Sequence, residues 1–407
     1  MSFRGRVATP NITVKLAILA DDLSGACDTG VQFVDYGLGV HVCWHVDPTS
    51  EPAEDVLVLS TTSRSHAPEA AAAKVRDAHV AIVQSGRCLI YKKMDSTLKG
   101  NVGAEIDAVL ERGPQQLALV CPAFPDMGRR LVNGELLLGE ECHPSGQHLP
   151  TLLRDQSTYD IDEIQATEVD RGGEFLLDRL RHAMAEGTRI CCADAEDNAD
   201  LANLAEAVLA LLPDVLPVGS ASLAAQLARR IAGTMEDFPS LSAELGIGPE
   251  KLHDGVNPTG PPIVCFVGSH NPVTTRQLVR LAQGADLMSM RLDDHTPSDL
   301  SLAVGRGQHV VIRIGWENGT QTLLENVLTV LAKQKFSGLV LTGGDTAKSV
   351  CDSAGVTGIQ LQQQVLPGLA KGRLVGGRLT GTAVVTKAGG FGDDDALLEV
   401  FLHLTAR

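Results

Sequence analysis

The sequence is poor in aromatic residues and in positive charge, and it has no long apolar run. Aromatic residues make up 3% of its 407 residues, and 50 Asp and Glu outnumber 34 Lys and Arg, for a formal net charge of −16. A negative charge disfavours nonspecific binding to nucleic acid or to an anionic membrane surface. No run approaches the roughly 20 apolar residues of a membrane span, and the N-terminus shows no apolar stretch of signal-peptide length. We expect a cytoplasmic protein with neither nucleic acid nor membrane as a partner.

The sequence also lacks a metal-binding cysteine pattern. Its nine cysteines form no C-x-x-C pair, and most lie in apolar, strand-like runs, which is typical of reduced core residues in a cytosolic protein. Cys142-His143 with His148 is the nearest approach to a metal cluster. Because it has no second clear ligand pair, we interpret it as a loop. The sequence therefore predicts no protein-built metal site.

Strand-like apolar runs alternate with amphipathic, helix-like runs along the chain. This alternation predicts an α/β protein with two α/β domains built on largely parallel sheets. The segment between them is rich in Pro, Gly, Asp and Asn, as is typical of a linker. The predicted boundaries are 1–235 for the first domain, 236–261 for the linker and 262–407 for the second domain.

A hairpin interrupts the alternation in the first half. Asn133-Gly134 stands between two alternating runs within 129–139, and this dipeptide is a strong signal for a two-residue β-turn. We predict a two-stranded excursion from the main sheet at this point.

Charged residues follow two strand-like runs of the first half. Asp21 and Asp22 stand where a strand ends and a helix begins, and ligands of open parallel sheets bind outside the carboxyl ends of the strands. Capping the helix, which Ser24 could do, does not need two acids. Arg64 follows another strand-like run and offers a fork-shaped partner for a carboxylate. We predict a ligand site at these residues.

The densest polar cluster lies within 91–101, again between a strand-like and a helical run. Cations beside an aspartate suit a polyhydroxylated anion, because Lys pairs with a carboxylate while Asp and Asn bind hydroxyls. The cluster predicts recognition of such an anion. Its members are Lys92, Lys93, Asp95, Ser96, Lys99 and Asn101.

The stretch “TGGDTAKS” at 342–349 nearly spells the phosphate-binding loop G-x-x-x-x-G-K-[ST]. Thr342 and Ala347 stand where that loop has its two glycines. A lysine of such a loop needs the preceding glycine to wrap the phosphate, so we interpret Lys348 as a surface residue. The stretch is therefore not a damaged copy of that loop.

Glycine pairs nevertheless stand between strand-like and helical runs in the second half. Gly343-Gly344 and Gly389-Gly390 allow backbone N–H groups to approach a ligand closely. A helix start after Ser269 is a further, weaker anion site. Together these turns predict phosphate or nucleotide binding.

Polar side chains in one half and glycine turns in the other predict a transferase with its active site in the cleft between the domains. A dinucleotide-dependent oxidoreductase is a rival class, but no G-x-G-x-x-G follows a strand-like run. A nucleotide-binding protein without catalysis is a third class, and it has no need of the polar cluster at 91–101.

At these same residues the chain resembles the four-carbon acid sugar kinases. The matching segments follow the family's order and span nearly the whole chain. They are “ADDLSGACDTG” (20–30), “KKMDSTLKGNVGAE” (92–105), “CPAFPDMGR” (121–129), “VGSHNPVTTRQ” (267–277), “TGGDTA” (342–347) and “VTKAGGFG” (385–392).

The resemblance implies a sugar-acid-binding first domain, a nucleotide-binding second domain and ATP-dependent phosphorylation of a terminal hydroxyl. The acceptor would be the C4 hydroxyl of a four-carbon acid sugar such as D-threonate or D-erythronate. “DTGVQF” and “GSHNPVT” are more similar to the threonate and erythronate kinases than to the 3-oxo-tetronate kinases, which are the alternative. A homodimer is left open as the assembly.

The resemblance also implies roles for individual residues. The nucleotide contacts would be Ser269, Gly343, Gly344, Asp345, Thr346, Gly389 and Gly390, with Mg²⁺ bridging the ATP phosphates. The expected substrate-binding residues are Asp21, Asp22, Arg64, Lys93, Asp95, Ser96, Lys99 and Asn101. The sequence leaves open whether Asp95 or Asp22 accepts the hydroxyl proton, with Asp393 as a third carboxylate that we interpret as a helix cap. Lys99 replaces an arginine frequent in the family and cannot form its bidentate fork.

Overall fold

The computed structural model describes residues 15–45, 54–87, 89–234, 260–317 and 319–405. The predicted linker lies outside these residues apart from 260–261. The described strands are β1 Leu16–Ala20, β2 Val40–Cys43, β3 Val56–Ser60, β4 Leu89–Lys93, β5 Leu117–Cys121, β6 Arg129–Val132, β7 Glu135–Leu138, β8 His143–His148, β9 Ile161–Ile164, β10 Ile190–Ala193, β11 Val215–Gly219, β12 Ile263–Val267, β13 Leu287–Arg291, β14 His309–Arg313, β15 Gly338–Thr342, β16 Gly358–Leu366, β17 Leu369–Val375 and β18 Ala383–Lys387.

The helices alternate with these strands. They are α1 Leu23–Val34, α2 Pro68–Gln84, α3 Val102–Leu110, α4 Leu149–Gln156, α5 Ala166–Val169, α6 Gly173–Ala185, α7 Asn198–Leu209, α8 Ala221–Thr234, α9 Pro272–Gly284, α10 Thr296–Gly305, α11 Thr320–Leu331, α12 Gly344–Ser353 and α13 Ala396–Thr405. None of these helices is long and apolar enough to cross a membrane.

Fifteen strands of the described chain form one continuous sheet, in the order β13-β14-β12-β15-β18-β17-β16-β2-β3-β1-β4-β11-β5-β10-β9. Most neighbours in this sheet are parallel. Its central strands are apolar runs buried at every position, as in β1 and β5, because helices cover both faces of a parallel sheet. The predicted α/β class with mostly parallel strands is confirmed.

The structure adds a link between the halves that the sequence analysis did not predict. The antiparallel hairpin β16–β17 lies beside β18 of the second half, and β16 also pairs with β2 of the first half through Gly358 with Cys43 and Gln360 with His41. The two expected sheets are therefore joined edge to edge. Part of the glycine-rich stretch at 372–392 is strand rather than turn, since it contains the end of β17 and all of β18.

The predicted hairpin at 129–139 is confirmed as β6 and β7, which pair from Arg129 with Leu138 to Val132 with Glu135. Its turn residues Asn133 and Gly134 have positive φ angles of 50° and 74°, as the two-residue turn requires. A third strand, β8, completes a separate small sheet.

Helix α1 lies where the two halves meet. It packs against α8 and β3 of the first half and against β16 and α12 of the second. Most of its residues are therefore buried, including polar ones such as Ser24, Asp28 and Thr29. The helix that follows the first strand thus brings polar side chains to the boundary between the halves.

Candidate active site

The carboxyl ends of β3, β1 and β4, which are neighbours in the sheet, bring Arg64, Asp21, Asp22 and Asp95 together. Arg64 Nε and Nη2 donate to the two carboxylate oxygens of Asp21 at 2.6 and 2.8 Å. Nη2 also donates to Asp22 Oδ1 at 2.9 Å, and Nη1 lies 3.3 Å from Asp95 Oδ2. One guanidinium fork therefore organises three predicted carboxylates.

Asp22 has a second role at the start of α1. Its Oδ1 accepts a hydrogen bond from the Gly25 N–H at 2.9 Å, which makes Asp22 the N-cap of the helix. The predicted alternative, Ser24 as the cap, is therefore wrong. Ser24 Oγ is instead buried, with no hydrogen-bond partner among the described residues.

The three carboxylates differ in proton affinity. Burial raises the pKa of Asp22, and the adjacent Asp21 raises it further against the lowering effect of Arg64. Burial acts in the same direction on Asp21, but the charge and hydrogen bond of Arg64 outweigh it and lower the pKa. Arg64, Lys93 and hydrogen bonds from Thr97 likewise outweigh burial at Asp95 and bring its pKa to about 2. Asp95 is therefore ionised at neutral pH.

The two adjacent lysines of β4 serve different purposes. Lys92 Nζ lies 2.7 Å from Glu105 Oε2 with both side chains 2% exposed, and Ser63 Oγ donates to Glu105 Oε1 at 2.6 Å. Lys92 is thus held in a buried ion pair beneath the site. Lys93 donates to the Met94 carbonyl, and its charge lowers the pKa values of the clustered aspartates. Lys93 lies beside the start of α1, since its Nζ would be 3.3 Å from a Cβ on Gly25.

The remaining residues of the predicted substrate cluster lie around this centre. Ser96 is buried and accepts a hydrogen bond from Arg129. Asn101 Nδ2 donates to the His66 carbonyl at 2.9 Å and so ties the loop after β3 to the start of α3. Lys99 is exposed, and no hydrogen bond to another described residue fixes it to the centre.

The second cluster lies at the carboxyl ends of β12, β15 and β18, which are also neighbours. Gly343 follows β15 with φ of 97° and is the N-cap of α12, a conformation that favours glycine. A Cβ on Gly343 would lie 3.3 Å from Thr346 Oγ1 and 3.8 Å from Ser269 Cβ. Asp345 is exposed in the first turn of α12. The helix N-terminus and the Ser269 turn thus lie together at one edge of the sheet, here called the glycine edge, and a helix N-terminus is a favourable place for an anion.

The second glycine pair lies against the same serine. A Cβ on Gly389 would collide with Ser269 Oγ and lie 3.3 Å from Asn271 Cβ, and one on Gly390 would lie 3.1 Å from Asn271 Nδ2. Thr274 Oγ1 donates to the Gly389 carbonyl at 2.7 Å. The structure therefore brings the predicted residues Ser269, Gly343, Gly344, Thr346, Gly389 and Gly390 into one place.

Two groups that the sequence analysis did not assign support these clusters. Lys387, fully buried at the end of β18, donates to the carbonyls of Ala388 and Gly389 at 3.0 and 3.2 Å, and burial lowers its pKa to about 8. Arg129 joins Ser96 to the second half. Both lie in segments that carry the family resemblance, which was the only signal for them in the sequence.

The two clusters face each other across the boundary between the halves. A Cβ on Gly344 would collide with Asp22 Oδ2 and lie 3.1 Å from Ser24 Oγ. The Phe391 ring, next to Gly390, stacks edge-on against Phe124 with centroids 5.9 Å apart, and the Arg129 guanidinium lies 4.8 Å from the Phe391 centroid. A group bound at the glycine turns would therefore adjoin the charged cluster.

Lys348 lies away from the glycine edge. It forms an ion pair with Asp352 one turn later in α12, and its Nζ lies 5.3 Å from the centre of the Trp44 ring of the first half. The interpretation of Lys348 as a surface residue agrees only in part with this, because its side chain is 18% exposed. Its contacts are structural rather than with the glycine turns.

Among the described residues, no group of three or more His, Cys, Asp or Glu side chains could hold a metal ion. Mg²⁺ commonly takes one or two carboxylates, phosphate oxygens and water rather than a cage built by the protein. The donor set of the glycine edge, with exposed Asp345 beside it, fits a magnesium ion that arrives bound to a nucleotide.

Comparison with known proteins matches both halves of the chain. A family model described as a sugar-binding N-terminal domain matches residues 16–227, and one described as a nucleotide-binding C-terminal domain matches residues 306–397. A D-threonate kinase of Bordetella bronchiseptica is 31% identical over 94% of this chain and 96% of its own length. A D-erythronate kinase of Heliobacterium modesticaldum is 28% identical over 94% and 95%.

More distant relatives and a solved structure complete the comparison. Proteins named 3-oxo-tetronate kinase are 24% to 27% identical to this chain, and that of Actinobacillus succinogenes is 24% identical over 93% of this chain and 97% of its own length. A crystal structure from Salmonella typhimurium superposes with a TM-score of 0.75 at 21% identity, over 95% of this chain and 98% of the other. At that identity, the superposition establishes a shared fold.

Proposed function

Because the chain belongs to the four-carbon acid sugar kinase family, we propose that it is an ATP-dependent kinase acting on the terminal (C4) hydroxyl of a four-carbon acid sugar. D-Threonate and D-erythronate are the favoured acceptors, since relatives with these names are 27% to 31% identical to the chain. The contact of Gly344 with Asp22, which joins the glycine turns to the charged cluster, is the observation that carries the proposal.

The first half, 1–235 in our boundaries, supplies the acid-sugar site. Lys93 and Arg64 provide positive charge for the sugar carboxylate, and the aspartates accept hydrogen bonds from its hydroxyls. Arg64 is already held by three carboxylates, so it orients them at least as much as it binds the acid. Asp95 and Asp22 are the two candidate proton acceptors that the sequence suggests, and Ser96, Asn101 and Lys99 lie at the margins of the site.

The second half, 262–407, supplies the nucleotide site. Backbone N–H groups at Gly343-Gly344 and Gly389-Gly390 would hold the ATP phosphates beside Ser269. Mg²⁺ neutralises phosphate charge when it is bound, and Asp345 is the carboxylate nearest in sequence to the glycine edge. Phosphoryl transfer needs mainly positioning and charge neutralisation, which these two facing clusters provide.

A 3-oxo-tetronate is the second candidate acceptor, favoured by the more distant relatives of that name. We also propose that the protein is cytoplasmic and forms a homodimer. Closure of the halves around both substrates, through contacts such as Phe391 with Phe124, would exclude water that otherwise hydrolyses ATP.

A coupled ADP-release assay tests the proposed function. The purified protein is given Mg²⁺-ATP with D- or L-threonate, D- or L-erythronate or a 3-oxo-tetronate, and with no acid. We expect ADP release that depends on one of the first four acids. Preference for a 3-oxo-tetronate would select the alternative acceptor, and ADP release that ignores every acid would reject an acid sugar kinase.

A further inference from the structure

Asp28 is a buried carboxylate that has no role in the site as described so far. It lies in the second turn of α1 and is 4% exposed. Its Oδ1 has no hydrogen-bond partner among the described residues. Native proteins pair nearly all buried polar atoms, so an exception of this kind calls for a functional explanation.

Helix geometry places this carboxylate toward the boundary between the halves. Ser24 and Asp28 are four residues apart and therefore share one face of α1. Within the part of the chain that the structure describes, Ser24 Oγ is also buried without a hydrogen-bond partner, and it would lie 3.1 Å from a Cβ on Gly344. Ser24 and Asp28 therefore lie one helical turn apart on α1, and Ser24 is the one beside the glycine turn of the second half.

The charged groups around Asp28 lie on β4, on β6 and at the start of α1. Lys93 at the end of β4 and Arg129 at the start of β6 attract its negative charge, while Asp22 at the start of α1 repels it. Tyr91 on β4 and the neighbouring Cys27 thiol also lie within electrostatic reach. Burial is the strongest influence and raises the pKa of Asp28 to about 6.

Asp95 is less suited than Asp28 to take up a proton. Asp95 Oδ1 accepts from the Thr97 N–H at 2.8 Å and from its hydroxyl, and Oδ2 pairs with Arg64. Both of its oxygens are occupied, and its pKa is about 2. A general base works best with an open lone pair and a pKa near the working pH, and Asp28 has both.

We propose that Asp28 is the proton acceptor for the terminal hydroxyl of the acid sugar. This inference rests on the proposed kinase function. The hydroxyl O–H bond breaks and its proton moves to the Asp28 carboxylate. The hydroxyl oxygen forms a bond to the γ-phosphorus, the bond from that phosphorus to the β,γ-bridging oxygen breaks, and ADP leaves. Asp95 and Arg64 then position the acid and do not receive the proton.

The test compares Asp28→Asn and Asp28→Glu with the wild-type chain and with Asp178→Asn, a control in an exposed ion pair. We expect Asp28→Asn to lower kcat about 10³-fold, within the range of general-base losses, with the KM of the acid changed less than about threefold. Wild-type kcat/KM should fall below about pH 6, and Asp28→Glu should retain part of the activity with a shifted acid limb. Asp178→Asn should match the wild type.

A thermal-unfolding series supplies a readout that does not depend on catalysis. The pKa of Asp28 is higher in the folded chain than its ordinary value of 3.8, so its contribution to stability is present below pH 4 and is lost as the pH rises through 6. At pH 8 the Asp28→Asn variant should therefore have a higher Tm than the wild type, and the two should converge near pH 4. A variant that is inactive yet more stable is expected of a functional group and not of a structural one.

Three results would overturn the proposal. Asp28→Asn could keep kcat within tenfold of the wild type, or it could be inactive and less stable at pH 8, which indicates a structural role. The acid limb of the wild-type profile could also persist unchanged in Asp28→Asn. A wild-type chain that shows no acid-dependent ADP release would instead reject the kinase function itself. The Tm series would still show whether the ionised Asp28 carboxylate lowers the stability of the fold.

Discussion

The two facing clusters bind their ligands by opposite means. In the first half, charged side chains at three strand ends are organised by Arg64, which contacts Asp21, Asp22 and Asp95. In the second half, the corresponding strand ends carry glycines. The buried Lys387 donates hydrogen bonds to the carbonyls of Ala388 and Gly389 in one of these turns. One cluster is built from side chains and the other from main chain.

This difference follows from what each ligand presents. An acid sugar presents one carboxylate and several hydroxyls at fixed positions, so its recognition needs side chains of different kinds. A polyphosphate presents many equivalent oxygens, which backbone N–H groups at a helix start can satisfy if no side chain blocks their approach. Substitutions should therefore act on the acid through charge in one half and on ATP through steric blockage in the other.

Removal of Arg64 should have the largest effect. Arg64→Met leaves three adjacent carboxylates without their shared cation, so we expect kcat/KM to fall at least about 10³-fold and stability to fall by about 3 kcal/mol, as for other broken buried ion pairs. Urea unfolding and the ADP-release assay measure the two effects. Arg76→Met, which removes an exposed pair with Glu111, should change stability by less than about 1 kcal/mol. Equal losses of stability and of kcat/KM in the two variants would show that Arg64 does not hold the three carboxylates in place.

Neutralising Asp95 should come next. Asp95→Asn keeps the shape but removes a charge that faces Arg64 and Lys93, and the amide can no longer accept hydrogen bonds at both positions. We expect turnover to fall about 10²-fold with the fold intact, measured by kcat and by circular dichroism. Wild-type turnover in this variant would remove Asp95 from the mechanism.

A methyl group in the glycine cluster should act on ATP alone. Gly389→Ala places a Cβ against Ser269, so we expect the KM for ATP to rise about tenfold while the KM for the acid stays unchanged. Gly305→Ala at the end of α10, where a Cβ meets nothing within 4 Å, is the matched control and should leave both KM values as they are. A rise in the KM of the acid would contradict the division between the clusters.

Loosening the contact between the halves should have a smaller effect. Phe391→Ala removes the ring that contacts Phe124 and Arg129. We expect both KM values to rise about threefold and ATP hydrolysis without acid to increase, because water enters a site that closes less well. Unchanged hydrolysis would show that this contact does not exclude water.

Replacement of Lys348 should have the smallest effect. Among the described residues, Lys348→Ala removes an ion pair with Asp352 and a contact with Trp44, so kcat and the KM for ATP should stay within about twofold of the wild type. A loss of 10²-fold or more would mean that “TGGDTAKS” works as a phosphate-binding loop with Lys348 on the nucleotide.

Strand ends and glycine turns were predictable because local pattern determines them. An apolar run followed by Asp21-Asp22 or by Gly343-Gly344 indicates both the strand and the place where a ligand can bind. The hairpin at Asn133-Gly134 was predictable for the same reason, since its turn depends on two adjacent residues.

Strands whose place depends on distant partners were not predictable. β11 contains Pro217, which argues against a central strand, and it pairs with β4 only at Val218 and Gly219, beyond that proline. β16 is rich in glutamine and joins the halves through β2, more than 300 residues away in the sequence. No local periodicity reports such pairing.

The role of Arg64 and the isolation of Asp28 could not be predicted either. Arg64 reads in the sequence as a partner for a substrate carboxylate, and only the fold shows three protein carboxylates around it. In the sequence alone, nothing distinguishes Asp28 from the other polar residues of an amphipathic helix. Only the fold shows that α1 lies between the halves and that Asp28 Oδ1 has no hydrogen-bond partner in the described ranges.

A crystal structure of the chain with ADP and D-threonate would show where both ligands bind. We expect ADP phosphate oxygens within hydrogen-bond distance of the backbone N–H groups at Gly343-Gly344 and Gly389-Gly390, and the acid beside Lys93 and Asp95. ADP bound at any other edge of the sheet, or an acid that lies away from the Arg64 cluster, would contradict this expectation.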